Sequence, residues 1–176
     1  MVFTRTTTDK GCPVCTGKLV ASGVNDLATL EPEIAAQWHP SKNGDLTPDK
    51  VTVFCNKKVW WICEKGHEYM ASVSHRTKSG SGCPYCKGKK VLAGFNDLAT
   101  TEPELSKEWH PELNGDLTPQ TVSSGSNRRV WWQCAEGHIW NAVVYSRTAR
   151  RRTGCPACAG TVSEEKQLRY EELAKK

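Results

Sequence analysis

"VWWICEKGHEYMASVSHRTKSGSGCPYC" runs from Val59 to Cys86, and "VWWQCAEGHIWNAVVYSRTARRRTGCPAC" repeats it from Val130 to Cys158. Each string holds a Cys, a His four positions on, and a Cys-Pro-x-Cys, in the same order and the same aromatic frame. A thiol and an imidazole at C-x3-H spacing, followed by two thiols at C-x2-C spacing, form the donor set that closes a tetrahedral structural zinc site. The first set is Cys63, His67, Cys83 and Cys86, and the second is Cys134, His138, Cys155 and Cys158. Writing the set twice separates it from scattered buried cysteines beside a surface histidine.

The repetition extends beyond the strings. "NDLATLEPEIAAQWHPSKNGDLTP" (Asn25–Pro48) lies over "NDLATTEPELSKEWHPELNGDLTP" (Asn96–Pro119). Cys12 to Cys83 is 71 residues and Cys83 to Cys155 is 72, so the period is nearly constant. The one inserted residue falls between Arg147 and Cys155. A third Cys-Pro-x-Cys, at Cys12 and Cys15, has no Cys-x3-His before it, and Val2–Arg5 matches Val144–Arg147. The expected organisation is therefore a remnant of a preceding repeat at 1–15, a first zinc-finger repeat at 16–86, a second at 87–158, and a helical tail at 159–176. Cys12 and Cys15 form an incomplete metal site. Cys55, whose counterpart is Ser126, is the spare cysteine open to completing it together with a histidine.

The chain has 176 residues, of which 38% are hydrophobic and nine are cysteine, with a formal net charge of +5. Mean hydropathy is −0.57, which argues against large aliphatic cores. An odd cysteine count and C-x-x-C pairs beside histidine speak for metal binding in an intracellular reducing compartment, not for a secreted disulfide framework. No apolar run of about 18 residues is present, so no membrane span is expected. Nor does a secretory h-region open the chain. Two centres of three thiolates and one Zn2+ each carry −1, leaving a mildly basic +3 from the +5.

Within one unit the elements are short. Thr100 or Thr101 caps a helix with Pro103 and Glu104 in its first turn, and Pro111 closes it. Leu105 and Trp109 stand at i and i+4 on one apolar face. "NGDLTP" reads as a turn. Val130–Cys134 and Ile139–Tyr145 read as paired strands, with Gly137 supplying the positive φ of the hairpin turn between them. In each "VWW" one Trp faces the core and its neighbour the opposite side of the sheet. His39 and His110, both in "WHP", take a shared packing or capping role. The fold class is thus small α+β, zinc-dependent, in tandem repeats. Units of about 70 residues sit at the edge of what one small core supports, and a structural zinc supplies the margin.

Two rival chemistries fit less well. Cys83-Pro-Tyr-Cys86 has the spacing of a thiol redox motif, yet it recurs as CPVC and CPAC with no βαβ unit around it. A catalytic zinc keeps one position for water, and four protein ligands fill it. No nucleophile–base–orienter set or carboxylate cluster is present, so no enzyme activity and no small-molecule substrate are expected.

The pattern "NDLAT..PE…WHP..NGDLTP…VWW.C..GH…CPxC" resembles a family of tandem treble-clef, zinc-ribbon-like zinc-finger repeats. The resemblance covers nearly the whole chain apart from its last 18 residues. It implies two zinc ions, with a third only where Cys12 and Cys15 find partners. Nucleic-acid binding is the role usually supposed for that family.

The positive charge is placed in loops. Arg147, Arg150, Arg151 and Arg152 precede Cys155, Arg128 and Arg129 precede the second hairpin, and Arg76 and Lys78 precede Cys83. Such loops suit sequence-independent phosphate contacts with RNA or DNA. The expected function is a non-enzymatic, zinc-binding, nucleic-acid-contacting module. The alternative is a structural subunit or protein–protein adaptor in a larger assembly, such as a ribonucleoprotein of the ribosomal kind.

Overall fold

The structure, a computed structural model, describes residues 12–175. The match drawn above for Val2–Arg5 lies outside them. The chain forms two compact units, divided in sequence between Lys87 and Gly88. Each is described by itself.

The first unit contains α1 (Leu27–Leu30), α2 (Pro32–Ala35), β1 (Lys58–Ile62), β2 (Glu68–Ser72) and α3 (Val73–Lys78). The second contains α4 (Leu98–Thr101), α5 (Pro103–Ser106), β3 (Arg129–Gln133), β4 (Ile139–Val143), α6 (Val144–Thr148) and α7 (Glu164–Ala174). The sheets are antiparallel hairpins, β1 with β2 and β3 with β4. Trp61 pairs with Tyr69 and Trp132 with Trp140 in matching register.

The helical segment differs from the expectation. Two one-turn helices stand where one was anticipated, because Pro103 excludes Glu102 from helical geometry (φ −140°, ψ 64°). Their start is capped by Asp97, not by Thr100 or Thr101. The Asp97 carboxylate accepts hydrogen bonds from the Thr100 amide at 3.0 Å, the Thr100 hydroxyl at 2.7 Å and the Gly94 amide at 2.6 Å. Asp26 does the same with Thr29 and Gly23. Burial alone would raise both carboxyls, but these donors outweigh it and hold each below the usual carboxylate range.

Beyond α2 and α5 the backbone docks on the hairpin. His39 donates its amide to the Trp60 carbonyl at 3.0 Å, and Ile62 donates to the Gln37 carbonyl at 2.8 Å. The Asn43 side chain accepts from the Trp60 amide at 2.7 Å and donates to its carbonyl at 2.9 Å, completing the edge as a strand would. Asn114 treats Trp131 identically. "NGDLTP" is thus a turn whose first residue also seals a strand edge.

Each core centres on the second Trp of its "VWW". Trp61 and Trp132 are fully buried, and their indole N–H groups donate to the carbonyls of Ala71 and Ala142. Trp38 meets Trp61 edge to face at 5.3 Å, and Trp109 meets Trp132 at 5.4 Å. Trp60 and Trp131 are half-buried on the opposite face.

The second strand stops sooner than its composition suggests. β4 ends at Val143, and Val144–Thr148 is helical, so Tyr145 and Arg147 leave the sheet. The α3 and α6 helices anchor through Thr77 and Thr148, whose hydroxyls donate to the carbonyls of Val53 and Ser124. Ser163 caps α7, which packs on β4. Among the described residues no helix is long and apolar enough to cross a membrane.

Candidate metal centres

Each hairpin carries its Cys and His at the tip. The Cys63 amide donates to the His67 carbonyl at 3.1 Å and the Gly66 amide to the Cys63 carbonyl at 2.8 Å, folding the five residues into one tight turn. Gly66 and Gly137 take φ of 77° and 82°, which a side chain would resist. The Cys-Pro-x-Cys segment closes on the turn as a knuckle, its first cysteine accepting through its carbonyl: Lys87 donates to Cys83 and Ala159 to Cys155.

Two tetrads result: Cys63, His67, Cys83 and Cys86, and Cys134, His138, Cys155 and Cys158, each with its donor atoms within 4.8 Å of one another. The shorter separations test the fit. The sulfurs of Cys63 and Cys86 stand 3.8 Å apart, as do those of Cys134 and Cys158. His67 Nδ1 lies 3.3 and 3.6 Å from the sulfurs of Cys86 and Cys83. His138 Nδ1 lies 3.5, 3.8 and 3.4 Å from those of Cys134, Cys155 and Cys158. A tetrahedron with Zn–S of about 2.3 Å and Zn–N of about 2.0 Å has S···S edges of about 3.8 Å and S···N edges of about 3.5 Å. Both tetrads therefore fit a zinc ion held through Nδ1, and none of their six cysteines is in a disulfide. Zinc in such a site cross-links the hairpin tip to the knuckle.

The thiols divide unequally. Burial raises Cys63, but the amides of His67 and Lys65 and the neighbouring Cys86 and Cys83 outweigh it and leave the thiol below its ordinary value. Cys86, pushed by burial and then by Cys83 and Cys63, rises to about 11. Cys134 is lowered in the manner of Cys63, burial again opposed by local amides. Cys158 rises to about 12, first through Cys155, then burial, then Cys134. Three sulfurs this close share negative charge poorly, and a dication relieves them.

A hairpin tip and a Cys-Pro-x-Cys knuckle, closed over a Cys3His tetrad and built twice, define a zinc-finger module of treble-clef type. The chain belongs to the family described as "Probable Treble clef zinc finger domain", whose model matches it twice, at residues 34–89 and 105–161, together more than half its length. Each match contains one whole tetrad. No curated protein matches the chain.

Cys12 and Cys15 adopt the same knuckle, with Thr16 donating to the Cys12 carbonyl at 2.9 Å, and Asn25 fastens it by donating to the Val14 carbonyl at 2.7 Å. Among the described residues no cluster of three or more metal-binding groups includes Cys12, Cys15 or Cys55. Cys55 packs at the edge of the first core.

The basic residues part company. Arg128, Arg129, Arg150, Arg151, Arg152 and Lys78 are exposed. Arg152 forks onto Glu102 at 3.1 and 3.2 Å. Arg76 and Arg147, expected among the phosphate-binding residues, are instead buried at 6% and 5% exposure and are not available to a phosphate. The Arg76 guanidinium stands 4.8 Å over Trp61 and 5.7 Å over Tyr69, and that of Arg147 stands 4.7 Å over Trp132 and 5.0 Å over Trp140. Their placement turns on α3 and α6, segments that read from sequence as strand and loop. His39 and His110 cap the turn after "WHP": His39 Nδ1 accepts from Ser41 and Lys42, and His110 Nδ1 from Glu112 and Leu113.

Proposed function

We propose that this zinc-binding module is a non-enzymatic binder of nucleic acid that grips phosphates through its exposed basic loops. The observation behind this reading is the sorting of the arginines. Arg76 and Arg147 are consumed inside the units, yet Arg128, Arg150 and Arg151 in loops and Arg129 at the start of β3 remain in solvent. Tyr145, 55% exposed, lies in the first turn of α6 and offers a ring for base stacking. Phosphate contacts of this kind position a chain without reading its sequence.

Salt decides the matter. Labelled single-stranded RNA, single-stranded DNA and duplex DNA are titrated by fluorescence anisotropy from 50 to 200 mM salt. Affinity should fall linearly on logarithmic axes, and the R150E/R151E/R152E variant should flatten the slope by about one for each phosphate it no longer neutralises. Absence of binding to all three at 50 mM salt refutes the reading, and stable co-purification with defined proteins in its place establishes the adaptor role.

A further inference from the structure

Arg76 contacts both strands of the hairpin whose tip carries Cys63 and His67. Trp61 lies two residues before Cys63 and Tyr69 two after His67. The guanidinium therefore stacks on the two aromatic side chains that flank the ligand-bearing turn, one from each strand. Its Nη2 donates to the neutral Gln37 Oε1 at 2.8 Å, and its buried Nη1 has no hydrogen-bond partner, a feature that Arg147 Nη1 shares. A buried cation without an anion is costly unless a negative group lies nearby. Zn2+ with three thiolates and a neutral imidazole carries −1, and among the described residues no carboxylate forms an ion pair with Arg76.

The second unit breaks this symmetry. Arg147 keeps the stacking, and its Nε donates to the Thr153 carbonyl at 2.7 Å, two residues before Cys155. Its Nη2, however, meets Glu108 Oε2 at 2.8 Å, where the first unit has neutral Gln37. Glu108 neutralises the cation that Gln37 leaves free.

We propose that Arg76 is a positioning residue whose charge balances the zinc–thiolate centre of the first unit, and that the Gln37/Glu108 difference makes this centre the tighter-binding of the two. This rests on zinc occupancy of the tetrads and not on the nucleic-acid reading. Burial holds the Arg76 guanidinium below its ordinary value, and the nearby Cys83 and Cys63 sulfurs offset that only in part.

The full zinc-loaded chain is challenged with graded chelator. Bound zinc is counted by native mass spectrometry, and the released site is identified by alkylation of its cysteines. In the parent chain Cys134, Cys155 and Cys158 should be alkylated first. Arg76→Met should weaken retention at the first centre about 10- to 100-fold, the range for groups supporting metal ligands, and Arg76→Lys should recover part of that loss. Glu108→Gln, which copies the first unit into the second, should strengthen the second centre several-fold. Circular dichroism of the zinc-saturated variants checks the fold. Unchanged retention in Arg76→Met, equal losses in the Met and Lys variants, or no gain in Glu108→Gln each overturn the assignment.

Discussion

The ring of Tyr170 meets the ring of Trp131 edge to face, their centroids 6.1 Å apart. With the Gln167 amide donating to the Ile139 carbonyl at 3.2 Å, this contact fastens α7 to the outer face of the β3–β4 hairpin. Tyr170→Ala should cost about 1 kcal/mol, the worth of an aromatic pair beyond its area. Hydrogen exchange of the α7 and β4 amides should accelerate, with the first unit unaffected.

The two tryptophans of one "VWW" should respond differently to truncation. Trp132 is fully buried, and Trp132→Ala should cost about 3–5 kcal/mol. That is comparable to what the core of so small a unit supplies without metal, so the thermal midpoint of the second unit should fall steeply. Trp131→Ala should only loosen α7. Calorimetry of the zinc-loaded variants separates the two.

Metal removal should unfold both units. Zinc contributes roughly 10–16 kcal/mol in comparable finger peptides, more than either core can replace. Excess EDTA should collapse the circular dichroism signal and abolish the thermal transition, and added zinc should restore both. An unchanged midpoint after verified zinc loss contradicts this.

The affinity for zinc should rise with pH. Cys86 and Cys158 hold their protons up to about 11 and about 12, so throughout pH 6–8 each must release one on binding. Raised thiols favour the metal-free, protonated form, so acidification weakens binding. The logarithm of the apparent affinity of each site should climb by at least one per pH unit over that range, and calorimetry in buffers of different ionisation enthalpy should count at least one proton per zinc.

The donor residues of the centres were legible because ligand type, spacing and repetition are all linear features of a chain. The hairpins followed from the same strings, and strand alternation required one core Trp in each pair without deciding which. The helix starts were misread because Asp97 and Thr100 are both capping residues by type, and only the fold decides which one accepts. The fate of Arg76 and Arg147 was invisible for another reason. A guanidinium in a basic run looks like surface, and its burial depends on α3 and α6, single-turn helices whose sequences are rich in strand-forming residues. The edge-sealing role of Asn43 and Asn114 needs a partner 17 residues away, which no local pattern announces.

The two buried clusters have no member in common: one is built on Trp61 and the other on Trp132. Damage to such a chain should therefore come in whole steps. An oxidant that strikes Cys63 takes down one block and leaves its sibling standing, so a stressed population sorts into intact, half-ruined and ruined molecules with little in between.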